Sequence, residues 1–181
     1  MYAAGTTAGS LEMKTASDSI NLNAGQSFDV TFSVNAETSG FGGYLTYDNS
    51  VFTSVTVVVD GGTTSGKTDN NGEWKASYNG YTHFLSVDYY KKDAAGNTTA
   101  QIADPVKVSG SSIATLKFTS AKPVIKTDIT FSPSYLRTNG SDVELKTQKL
   151  TLTNSQAKTV TLSLGICLLY TSDAADEGLG V

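Results

Sequence analysis

The stretch Phe28-Asp29-Val30-Thr31-Phe32-Ser33-Val34 alternates apolar and polar residues without a break. Successive side chains of a strand point to opposite faces, so Phe28, Val30, Phe32 and Val34 can enter one core while Asp29, Thr31 and Ser33 face water. A helix would scatter the same residues around its axis. Downstream, Phe41 to Asp48 repeats the pattern, with Phe41, Gly43, Leu45 and Tyr47 on one face and Gly42, Tyr44 and Thr46 on the other.

The flanks read the same way. Leu11 and Met13 alternate with Glu12 and Lys14, Ile20 alternates with Leu22, and Asn23-Ala24-Gly25-Gln26 makes a turn. Asp48-Asn49-Ser50 turns the chain into Val55–Val59, a β-branched run that suits a strand covered on both faces. Asp60 to Gly72 is polar, glycine-rich and without period, hence a loop. Trp74 to Tyr90 regains strand character around Asn79-Gly80, a hairpin signal, and a second loop covers Lys91 to Ala100. Val106–Val108, Ile113–Phe118, Ile129–Phe131, Val143–Leu145, Leu150–Leu152 and Val160–Leu164 complete a set of short strands at regular spacing. The fold class this implies is all-β, a two-sheet antiparallel sandwich of about nine strands, with Phe28, Val30, Phe32, Leu45, Tyr47, Leu116 and Phe118 in its core.

Composition agrees. The 181 residues suffice for one domain with a full core, and 21 Ser, 25 Thr and 17 Gly against 3 Pro suit strands and turns more than long helices. The net charge is −4 and Arg137 is the lone arginine, so no basic stripe exists to neutralise phosphates, and nucleic acid is not an expected partner. No apolar run reaches the roughly 20 residues that cross a bilayer, and membrane insertion is not expected. One cysteine, Cys167, rules out an internal disulfide framework. Residues 1–10 read as a linker remnant and residues 11–164 as the domain. Residues 165–181 contain Cys167, break the composition and resemble translated sequencing-adapter read-through, which predicts a non-native tail.

Catalytic chemistry is hard to assemble from these residues. His83 is the lone histidine, set in an expected strand, and no serine lies in a G-x-S-x-G elbow. The aspartates Asp48, Asp60, Asp69, Asp93 and Asp104 fall in turns. Asp69-Asn70-Asn71-Gly72-Glu73 has its glycine at the fourth place rather than the sixth of a calcium loop, so neither a metal nor another cofactor is expected. The chain reads as a non-enzyme. Its informative class is aromatic: Tyr44, Tyr78, Tyr81, Tyr89 and Tyr90, with Trp74, suit protein-interface anchors or platforms for sugar rings.

From Leu11 to Leu164 the order of signals resembles the cohesin family. The likeness rests on the Asn23–Gln26 turn, the Phe28–Val34 strand and the run Gly40-Phe41-Gly42-Gly43-Tyr44-Leu45-Thr46-Tyr47-Asp48-Asn49-Ser50-Val51-Phe52. It extends through Thr82-His83-Phe84-Leu85-Ser86-Val87-Asp88 and Val108-Ser109-Gly110-Ser111-Ser112-Ile113-Ala114-Thr115-Leu116-Lys117-Phe118. The resemblance implies a nine-stranded jelly-roll sandwich whose activity is binding. One sheet face would receive a helical dockerin module, which carries its own calcium, in an extracellular polysaccharide-degrading assembly. Carried over by position, that face includes Tyr44, Thr46, Tyr78, His83, Leu85 and Asp88, with Asp88 orienting a basic or hydroxyl group of the partner. Gly40 and Gly42 stand where the best-known class has an asparagine and an aspartate. The chain would be a monomeric module of a longer secreted or cell-surface protein. The alternative is a carbohydrate-binding or spacer sandwich that stacks polysaccharide on Trp74 and the tyrosines.

Overall fold

The computed structural model describes residues 9–59, 72–139 and 143–157. The start of the linker, all of the loop read over 60–72 except Gly72, which opens a strand, the last strand at Val160–Leu164 and the tail with Cys167 lie outside the described residues. Ten strands are present among the described residues: β1 (Ser10–Thr15), β2 (Ser19–Ile20), β3 (Ser27–Tyr47), β4 (Phe52–Val59), β5 (Gly72–Asn79), β6 (Phe84–Lys92), β7 (Thr98–Ile102), β8 (Val106–Ser120), β9 (Lys126–Thr138) and β10 (Gln148–Asn154).

The two alternating runs that open the sequence reading are one strand, not two. β3 is 21 residues long and runs through Asn35 and the Ser39-Gly40 pair, residues that elsewhere mark turns. Its first part pairs with β1 and β8 and its last part with β6 and β9. It passes from one layer to the other at register shifts between Val34 and Asn35 and between Thr38 and Gly40. Gly40 adopts φ 152° at that bend, a conformation that L side chains rarely take.

One layer therefore holds β1, the first part of β3, β8 and β4, while the other holds β10, β9, the last part of β3, β6 and β5. β7 pairs with β6. The chain also crosses between layers from β4 to β5, from β7 to β8 and from β8 to β9, the interleaving of a jelly roll. Phe32 in the first layer meets Phe131 and Phe41 in the second, with ring centroids 4.9 and 5.9 Å apart. Phe118 meets Tyr47 at 5.3 Å. Of the expected core, Val30, Phe32, Leu45, Leu116 and Phe118 are buried, and Phe28 and Tyr47 pack partly buried against them. The fold is thus an all-β sandwich around a core of aromatic and branched side chains.

Several expectations change. The sheet is not wholly antiparallel, since β2 and β10 pair in parallel. Val106–Val108 and Ile113–Phe118 are one strand, in which Gly110 takes φ 73°. Val143–Leu145 is not a strand. Val55–Val59 belongs to an outer strand whose sheet is covered on one face: Val55, Val57 and Val59 pack inward while Val58 faces out. The layers are also stitched at their margin: the Met13 amide donates to Gln148 Oε1 at 2.7 Å, and Gln148 Nε2 donates to the Leu11 carbonyl at 2.7 Å. A side-chain amide there supplies the donor and acceptor of a missing neighbouring strand.

Candidate functional site

The outer face of β5, β6, β3 and β9 is the surface on which the aromatic residues of the sequence reading converge. Register defines it row by row. The first row across the sheet is Lys75, Asp88, Gly40 and Arg137; the second is Ser77, Ser86, Gly42 and Tyr135; the third is Asn79, Phe84, Tyr44 and Ser132. Thr46 and Thr130 follow in a fourth, extended by Lys149 of β10. Alternation sends Trp74, Ala76, Leu85, Val87, Phe41, Leu45 and Phe131 to the opposite side.

In the third row Tyr44 is 50% exposed and meets the Phe84 ring edge to face, centroids 4.9 Å apart. This is an apolar anchor bordered by hydroxyls. The first and second rows carry a polar cluster instead. Asp88, only 5% exposed, accepts from the Tyr135 hydroxyl at 3.0 Å to each carboxylate oxygen and from Arg137, with which it forms an ion pair. The Arg137 guanidinium also stacks over the Tyr135 ring at 4.1 Å. Burial holds the Asp88 carboxyl above the usual carboxylate range, against the opposing pull of Tyr135 and Arg137. Burial likewise pushes Tyr135 up to about 12.

Gly40 and Gly42 make this cluster possible. A Cβ on Gly40 would overlap the Asp88 carboxylate, and one on Gly42 would overlap the Tyr135 ring. The space that an asparagine and an aspartate would fill on β3 is occupied by side chains reaching across from β6 and β9.

The expected site residues divide accordingly. Tyr44 and Thr46 are exposed on the outer face. Leu85 is fully buried, because its phase on β6 is that of Val87, and Phe84 takes the outer position that the sequence reading assigned to Leu85. Asp88 has the outer phase but is sealed under Tyr135 and Arg137. Tyr78 points inward, its hydroxyl 2.7 Å from that of Tyr47, and burial followed by that bond raises its pKa. His83 lies in a turn rather than a strand, at φ 55°, its ring stacked on Tyr47 with centroids 4.7 Å apart.

The hairpin itself is a four-residue loop, since Asn79 pairs with Phe84. The Asn79 side chain accepts from the amides of Tyr81 at 2.9 Å and Thr82 at 3.2 Å, leaving Tyr81 98% exposed. Trp74 is buried against Tyr89 and offers no flat surface to a sugar. Phe84, Tyr135 and Arg137 are the residues that sequence reasoning missed. Phe84 was legible in the alternation with Ser86 and Asp88, whereas nothing local places β9 beside β3.

No protein-family model and no curated protein matches the chain. Among solved structures, it is similar to a non-cellulosomal cohesin from Archaeoglobus fulgidus, at 13% identity over 83% of this chain and 94% of that one, with a TM-score of 0.49. It is also similar to CaCohA2 from Clostridium acetobutylicum, at 16% identity over 82% and 92% with a TM-score of 0.47. A type II cohesin domain from the cellulosome of Acetivibrio cellulolyticus stands at 14% identity over 81% and 95%, with a TM-score of 0.46.

Proposed function

We propose that this domain is a non-catalytic scaffold module that captures a helical dockerin module on the outer face of β5, β6, β3 and β9. The observation that carries the reading is the half-exposed Tyr44 ring, packed edge to face on the partly buried Phe84 and set in rows of small hydroxyl residues on the sheet surface. An aromatic anchor ringed by polar groups suits a docked helix, and the motifs from Gly40 to Phe52 and Thr82 to Asp88 that resemble cohesins supply this same face. Calcium belongs to the partner in this reading. The module acts as a monomer in a longer extracellular protein, secreted or held at a cell surface, bringing polysaccharide-degrading enzymes together; residues 11–164 are the functional unit.

The test is a pull-down of the domain against a panel of calcium-loaded dockerins, with soluble and insoluble polysaccharides beside it. Capture of a dockerin, reduced by Tyr44→Ala, is the expected result. Retention of a polysaccharide with no dockerin bound, lost on Tyr81→Ala, would replace this reading by the glycan-binding one.

A further inference from the structure

At the Gly40 end of the face, Arg137 stands as a prepared cation beside a carboxylate that a partner cannot reach. The Asp88 side chain is 8% exposed, whereas that of Arg137 is 43% exposed. The guanidinium is fixed on two sides, by Asp88 and by the Tyr135 ring at 4.1 Å, so little rotamer freedom remains to be lost when a partner arrives. It carries five N–H donors in a planar fork, of which the Nη1 group is directed at Asp88 while the side chain as a whole stays 43% exposed. Lys75 is exposed and opposite Asp88 in register, which puts a second cation in the same row. Glu73, further along β5, is held by the Thr98 hydroxyl.

We infer that Arg137 is a specificity-determining residue of this face and that it selects a partner module presenting an Asp or Glu side chain where it crosses β9 and β3. The inference rests on the docking reading and reverses one element of the sequence expectation: the partner group at this end is acidic, not basic. Asp88 and Tyr135 are positioning residues that hold the guanidinium at the Gly40 end of the face. A planar fork matches a carboxylate with two parallel hydrogen bonds, and in a contact partly shielded from water such a pair discriminates strongly against a neutral or basic group.

The experiment measures dissociation constants for the dockerins captured by the wild-type domain, in calcium, from about 50 to about 500 mM salt, a range over which exposed ion pairs are screened. Variants are Arg137→Met, Arg137→Lys and Tyr44→Ala. Because Arg137→Met leaves Asp88 buried without its cation, the pair Asp88→Asn and Arg137→Met is made together and compared with Asp88→Asn alone. Each captured dockerin is also prepared with the acidic residues of its contact helix changed to Asn or Gln.

The expected result is a loss of about tenfold or more for Arg137→Met and for the double variant relative to Asp88→Asn, in line with a hydrogen bond to a charged group. Arg137→Lys should recover part of it. The loss should shrink as salt rises and vanish against the neutralised dockerins, while Tyr44→Ala weakens binding to both forms. Unchanged affinity and salt dependence in the Arg137 variants would overturn the inference and leave the docking reading standing. If the wild-type domain captures no dockerin at all, the docking reading fails and this inference with it.

Discussion

Substituting Gly42 by Ala tests whether the polar cluster depends on the bare backbone of β3. The new methyl would overlap the Tyr135 ring and lie 2.9 Å from the Leu85 carbonyl oxygen. The carbonyl belongs to a paired strand and cannot retreat, so the ring must. Displacing Tyr135 removes its hydroxyl from Asp88, a hydrogen bond to a charged acceptor that contributes about 1.5–3 kcal/mol. It also removes the platform under Arg137, about 0.5–1 kcal/mol at a partly exposed site. Asp88 then keeps Arg137 but loses half its cover. The sum is a destabilisation of about 2–4 kcal/mol, read by urea or guanidinium unfolding at neutral pH. The control is a double-mutant cycle: in a Tyr135→Ala background the ring is gone, and Gly42→Ala should cost only what the Leu85 carbonyl imposes, which leaves a coupling of about 2–4 kcal/mol, the whole of the Tyr135 contribution. An equal cost in both backgrounds would refute the overlap with Tyr135.

Phe32→Ala should cost about 3–5 kcal/mol, because the ring is fully buried and touches Phe41 and Phe131 across the layers; thermal or chemical unfolding reads it, and a loss under about 1 kcal/mol would contradict the register of β3. For pH, Asp88 sits above the ordinary carboxylate range chiefly through burial, so the folded protein holds its proton to higher pH than the unfolded chain. Its contribution to stability is full below the ordinary range and is lost as pH rises through the folded value. The stability of the wild type relative to Asp88→Asn should therefore decline from acid toward neutral pH, with Arg137, Tyr135 and Lys75 the groups facing it. The exposed Asp48, Asp93 and Asp128 have the opposite sign, lowered by Ser50, Asn97 and Lys149 respectively, so their contributions are lost on acidification. Tyr44→Ala should weaken dockerin capture by about 2 kcal/mol or more with little change in melting temperature. Leu85→Ala should instead lower the melting temperature sharply, since its side chain is fully buried.

Period-2 alternation was enough to establish strands, their inward phases and most of the core, because alternation is a property of each strand alone: Val30, Phe32, Leu45, Leu116 and Phe118 were legible without any partner. It could not say that the strands at Phe28 and Phe41 are continuous, since a bend that carries one strand between layers is driven by which neighbours pair on each half. β6 shows the other limit. Phe84 and Leu85 are both apolar on adjacent phases; the polar Ser86 and Asp88 point to Phe84 as the outer one, and packing of the layers buries Leu85 and Val87. The site depended on tertiary structure most of all. Asp88 lies almost 50 residues from Tyr135 and Arg137, and they meet because β6 and β9 flank the same half of β3. A side chain's burial and charge state are set by what folds on top of it, and that is a property of the packed layers rather than of any one segment.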